Sequence, residues 1–191
     1  MNAAPSQRYT APAVLLHWLL ALLIVGMLVL GVSMAGLPFS PLRLRLINWH
    51  KWIGIAVLVL SALRLLWRLT HRPPPFTPAM QAAMPPWRRV AHRGVHALLY
   101  LLFFATPLAG WAYSNAAGFA VLWFGVLPLP DLVPADPGLA EHLYKPLHQG
   151  CAALLALLAL VHVAAALVHH GRHRDGLLRR MAWPHRSPRR P

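Results

Sequence analysis

Four long apolar runs alternate with short polar or proline-rich stretches along this chain. They fall at roughly residues 13–37, 44–69, 87–114 and 143–171. At about 1.5 Å rise per residue, each is long enough to cross the roughly 30 Å hydrocarbon core of a bilayer as a helix. The pattern predicts an all-α membrane protein, a four-helix transmembrane bundle. Pro12 suits the start of the first helix. Pro107 falls inside the third and is expected to kink it, with neighbouring helices satisfying the carbonyl it leaves without a donor. Between the second and third runs lie Pro73, Pro74, Pro75, Pro78, Pro85 and Pro86, so this stretch reads as a connecting loop. The connection from Asn115 to His142 holds GFAVLWFGVLPLP, too short to span and expected to be interfacial or re-entrant. The organisation is a short tail (1–12), one bundle domain (13–171) and a basic tail (172–191). The first run is longer than a secretory leader's apolar core and lacks a cleavage pattern, so it is expected to be a retained helix.

Charge refines this picture. The 191 residues are 58% hydrophobic and carry a formal charge of +14. Such a charge could suggest nucleic acid, but the basic residues flank apolar runs, which points to membrane lipid and excludes a nucleic-acid partner. Four spans put both termini on one side. That side, with the end of the bundle where helices 2 and 3 are joined, carries 14 of the 18 Lys and Arg residues; the other carries Arg43, Arg45, Lys51 and Lys145. Positive-inside bias then predicts cytoplasmic termini. A single cysteine, Cys151, excludes an internal disulfide or a cysteine-rich metal site and reads as a packing residue.

Twelve histidines is the compositional oddity. His148 and His162 lie 14 residues apart on the fourth helix, close to four turns, so they share a face roughly 21 Å apart in depth. His50 and Arg64 have the same spacing on the second helix. Depth pairs His50 with His148 near the outer side and His17 with His162 near the inner side. Two imidazoles from different helices at each of two levels suit two haems held edge-on with bis-histidine ligation and no open iron position, hence electron transfer. Gly54 and Gly150, near His50 and His148, would let a planar ring approach the backbone. His96 also lies near the inner depth: it could replace His17 as a ligand, bind a propionate or shuttle protons. His169 and His170 fall at a helix exit, and the remaining histidines read as surface residues. With no acidic residue inside the spans, a cation transporter is not expected.

LLHW in the first helix, WHKWIG in the second, HRGVHALLY in the third, and PLHQG with LVHVAAALVHH in the fourth together resemble the bacterial cytochrome b561 family. The resemblance runs from about Tyr9 to Met181. It implies two haem b groups, axial ligands His17, His50, His148 and His162, and a bacterial cytoplasmic (inner) membrane location. It also implies superoxide:ubiquinone oxidoreductase activity, with the alternative of a cytochrome b subunit linking a dehydrogenase, hydrogenase or periplasmic redox partner to the quinone pool. On this reading Arg43, Arg45, Lys51 and Lys145 form an outer basic rim that attracts superoxide, or pair with haem propionates. Arg64 and His96 serve an inner propionate or a quinone. Trp123 is either part of an outer quinone cover or an interface anchor.

Overall fold

The computed structural model describes residues 8–75, 85–168, 170–171 and 180–181. The expected first seven residues of the N-terminal tail, the middle of the proline-rich loop with Pro78, His169, and nearly all of the basic C-terminal tail lie outside them.

Four helices dominate: α1 (Ala11–Ala35), α2 (Pro41–Thr70), α3 (Pro86–Ala116) and α4 (Pro137–Val168). All four are long and apolar enough to cross a membrane. Each begins with a proline in its first turn, where a missing N–H costs nothing. Ser40 caps α2 by accepting from the Arg43 amide, and Asp136 caps α4 by accepting from the Leu139 amide. Helix α1 is as long as its apolar run but begins and ends two residues earlier, whereas the other three exceed theirs: α2 starts at Pro41, α3 reaches Ala116, and α4 starts before Leu143. That early start comprises an α turn and a π-helical turn, Ala140–Tyr144, before regular helix resumes at Lys145. Helix α3 is continuous through Pro107.

Packing runs in chain order, α1 on α2, α2 on α3 and α3 on α4, while α1 and α4 do not pack directly along their lengths. Large apolar side chains such as Leu22, Val32, Leu101 and Leu160 face outward, as lipid contact requires. The buried core is small: Leu20, Ile24, Val57, Leu99, Leu102 and Leu155, with Phe103 and Cys151 packed against it. Cys151 is thus a packing residue, as expected.

The connection between α3 and α4, too short to span, forms a small antiparallel hairpin, β1 (Leu122–Trp123) and β2 (Leu127–Pro128). Its turn needs positive φ at Phe124 (52°) and Gly125 (74°). The hairpin is fastened to α2 beside His50. The Trp52 indole donates to the Leu122 carbonyl (2.7 Å), and the Trp123 indole donates to the Trp52 carbonyl (3.1 Å). Asn115, buried at the end of α3, donates to Asp131 and accepts from the Leu132 amide, holding the rest of the loop.

The opposite end of the bundle is tied by the C-terminal segment. The Trp18 indole donates to the Met181 carbonyl (2.9 Å), and the Tyr9 amide donates to the Arg180 carbonyl (3.3 Å). The buried Arg180 guanidinium donates to the carbonyls of Pro74 and Pro75. Three separate stretches of chain therefore meet at the termini end.

Candidate functional site

Each helix carries three inward positions spaced by seven residues, about two turns. They are His17, Ile24 and Gly31 on α1; His50, Val57 and Arg64 on α2; His96, Phe103 and Gly110 on α3; and His148, Leu155 and His162 on α4. Ile24, Val57 and Leu155 are core residues and Phe103 packs on them. The bundle therefore has two polar levels, one near the hairpin and one near the termini, separated by an apolar layer.

At the hairpin level the His50 and His148 ring centres lie 5.9 Å apart at 86°. At the termini level His17 and His162 are 6.2 Å apart at 74°. Two imidazoles on opposite faces of one metal ion, each bonded at about 2.0–2.1 Å, have ring centres roughly 6 Å apart. Both pairs match that span. His96 is closer to His162, at 5.0 Å and 83°. Its Nδ1 bonds the His92 carbonyl at 2.7 Å.

The remaining polar atoms of these rings also fit metal ligation. His148 donates Nδ1–H to the Thr106 carbonyl (2.9 Å), which leaves Nε2 for a metal and fixes the ring. His50 Nδ1 is buried with no hydrogen-bond partner. Among the described residues no three His, Cys, Asp or Glu side chains converge to hold a bare ion. Two protein donors per level suit a metal whose other donors come from a macrocycle. The His17–His162 pair bridges α1 and α4, which otherwise pack little against each other.

Two glycines besides those expected bear on the histidine pairs. A Cβ on Gly150 would meet nothing within 4 Å, and one on Gly54 only the flexible Met27 Cε at 3.7 Å. Gly31 and Gly110 back the ligand rings instead. A Cβ on Gly31 would lie 3.4 Å from His50 Cε1, and one on Gly110 would lie 2.9 Å from His148 Cε1 and Nδ1. Proximity in sequence misleads here because Gly150 lies 200° round α4 from His148. The cross-helix signal was the 14-residue interval, since Gly31 follows His17 and Gly110 follows His96 by that spacing.

The four basic residues at the hairpin end have different surroundings. Lys145 is paired with Glu141 one turn earlier. The Lys51 Nζ lies 5.7 Å from the centre of the Phe119 ring. Arg43 stands two turns from His50 on the same face, with its Nε buried and without a hydrogen-bond partner, and Arg45 is exposed. Trp123 anchors the hairpin to α2 through its indole. At the termini end Arg64 is half-buried and joins three helices, donating Nε to the Tyr100 hydroxyl (3.2 Å) and Nη1 to the Ala13 carbonyl (3.3 Å). Tyr100 carried no signal in the sequence beyond lying one turn after His96.

Comparison with known proteins agrees with this geometry. Residues 8–184 match the family model described as prokaryotic cytochrome b561. The chain is 33% identical over 182 residues to the Escherichia coli K12 protein named cytochrome b561 homolog 2, covering 92% of this chain and 91% of that one. It is 32% identical over 179 residues to a Yersinia pestis protein named probable superoxide oxidase CybB, with 92% and 96% covered. Cytochrome b561 homolog 1 of Escherichia coli K12 is 30% identical over 176 residues, with 91% and 96% covered. The chain belongs to the prokaryotic cytochrome b561 family, multi-pass haem b electron-transfer proteins of the bacterial inner membrane.

Proposed function

We propose that this protein is a superoxide:ubiquinone oxidoreductase holding two haem b groups, one per level. The observation that carries the reading is the pair of imidazole couples, 5.9 and 6.2 Å between ring centres, on either side of an apolar layer. His50 and His148 hold one group and His17 and His162 the other. His96 stays outside iron ligation, because 5.0 Å from His162 is too short for iron between the rings. When bound, the two groups supply one-electron carriers at two depths, with no coordination position left for a substrate.

The chain's own residues set what reaches each end. The excess of Arg and Lys at the termini end supports cytoplasmic termini and a hairpin end that faces outward. There Arg43, Arg45 and Lys51, with Lys145 partly offset by Glu141, concentrate small anions. The hairpin is fastened to α2 at this end through Trp52 and Trp123. Two superoxide anions each lose one electron and leave as dioxygen. One ubiquinone takes up both electrons with two protons. His96, next to His162, lies where a quinone carbonyl at the termini end would need a hydrogen-bond donor, and Arg64 lies at the same level. The resemblance to a protein named probable superoxide oxidase supports this choice of donor.

Stopped-flow mixing of the purified protein with superoxide tests it. The haem bands should be reduced faster than spontaneous dismutation removes superoxide, and ubiquinone should reoxidise them. Reduction that occurs only when a separate redox protein is added would contradict the proposal and favour a cytochrome subunit serving that partner.

A further inference from the structure

Arg64 and Arg68 lie one turn apart on α2, and both guanidinium groups sit over the ring of Tyr100, 5.9 and 5.5 Å from its centre. Arg64 is fixed there by the Tyr100 hydroxyl on α3 and the Ala13 carbonyl on α1. It lies at the level of His17, His96 and His162. A guanidinium does not lose its charge by titration in a protein. Two like charges at this helical spacing repel each other, and at the edge of a membrane interior they are costly without an anion. Among the described residues the acidic ones are Asp131, Asp136 and Glu141, all at the hairpin end. The two bonds made by Arg64 leave three of its five N–H donors, in a planar fork that matches a carboxylate.

We propose that Arg64 and Arg68, held on Tyr100, form the carboxylate-binding clamp for the propionates of the haem carried by His17 and His162, and that their charge raises that haem's reduction potential. The inference rests on the two-haem reading above. Pairing a guanidinium with a propionate offsets negative charge near the iron. A less negative surround favours the added electron, since net charge and hydrogen bonding are levers on haem potential. Tyr100 is a positioning residue: its hydroxyl and ring hold Arg64 where the carboxylate can be met.

Redox potentiometry of the purified protein in neutral phosphatidylcholine nanodiscs, followed on the haem bands alongside haem content, provides the test. The wild type should titrate as two one-electron components with two haems per chain. Arg64→Gln should lower one component by at least about tenfold in its reduction equilibrium, 59 mV for a one-electron couple, and leave the other in place. Arg64→Lys should recover part of that shift, and Tyr100→Phe should lower the same component by less. If Arg64→Gln loses that haem, Arg68→Gln carries the same test. Two retained haems with both components unmoved in Arg64→Gln would overturn the clamp and leave the two-haem reading intact. A wild type with fewer than two haems would sink that reading instead. Repetition with phosphatidylglycerol identifies the anion. A wild-type component that moves with the anionic lipid, and stops doing so in Arg64→Gln, means that a lipid phosphate occupies the clamp, which also overturns the proposal.

Discussion

At the hairpin level, α1 and α3 present Gly31 and Gly110 to the rings of His50 and His148. At the termini level the same two helices present His17 and His96, and α2 adds Arg64. The ring spacing hardly differs, 5.9 against 6.2 Å. The surroundings differ in kind. The hairpin level is defined by volume, with backbone against each imidazole and no room for a methyl group behind His148. The termini level is defined by charge and hydrogen bonding, with three imidazoles and a guanidinium sharing one layer. The first should therefore yield to a small steric change and the second to a change of polarity.

The largest expected effect breaks the termini level. His17→Ala should remove one haem per chain, whereas His96→Ala should retain both, read as haem content of the purified variants. The opposite outcome would exchange the roles of those residues. Next is Gly110→Ala, whose methyl group would stand 2.9 Å from the His148 ring. Overpacking of this kind costs about 1–3 kcal/mol, and it should appear as easier thermal release of one haem. Gly31→Ala, at 3.4 Å, should do the same more weakly, and Gly150→Ala should leave haem release unchanged. Asn115→Ala removes the link from α3 to Asp131 and Leu132. Its partners Asp131 and Leu132 are exposed and can turn to water, so the cost should be that of the lost hydrogen bonds, about 0.5–1.5 kcal/mol each, seen as faster amide exchange in the hairpin loop while the termini end stays protected. The smallest effect is Glu141→Gln, which releases Lys145 from its ion pair. The rate of superoxide capture should rise by a factor of about two at low salt, and the gain should vanish as salt screens the rim.

The fold was readable in the sequence because lipid imposes a simple rule: a span must be long, apolar and helical. The histidine pairs were readable for a second reason, since a 14-residue spacing on one helix fixes both face and depth. What failed to show depended on contacts between helices. Gly31 and Gly110 carry no side chain to attract notice, and their role appears only when α1 is set against α2 and α3 against α4. Tyr100 looks like any aromatic residue near a membrane interface until Arg64 reaches it from α2. The hairpin's strands did not show because its apolar residues do not alternate; tryptophan-to-backbone bonds onto α2 hold it, and these are long-range. The tie from Arg180 and Met181 to Tyr9, Trp18 and the proline loop lies in a tail whose composition suggested only a basic flank.

The central claim is that α4 supplies one ligand to each of two haems. Haem content per chain, measured on the wild type, His148→Ala, His162→Ala and the double variant, tests this most directly. The account predicts two, one, one and none. A wild type that holds a single haem, or a single variant that keeps both, would contradict it.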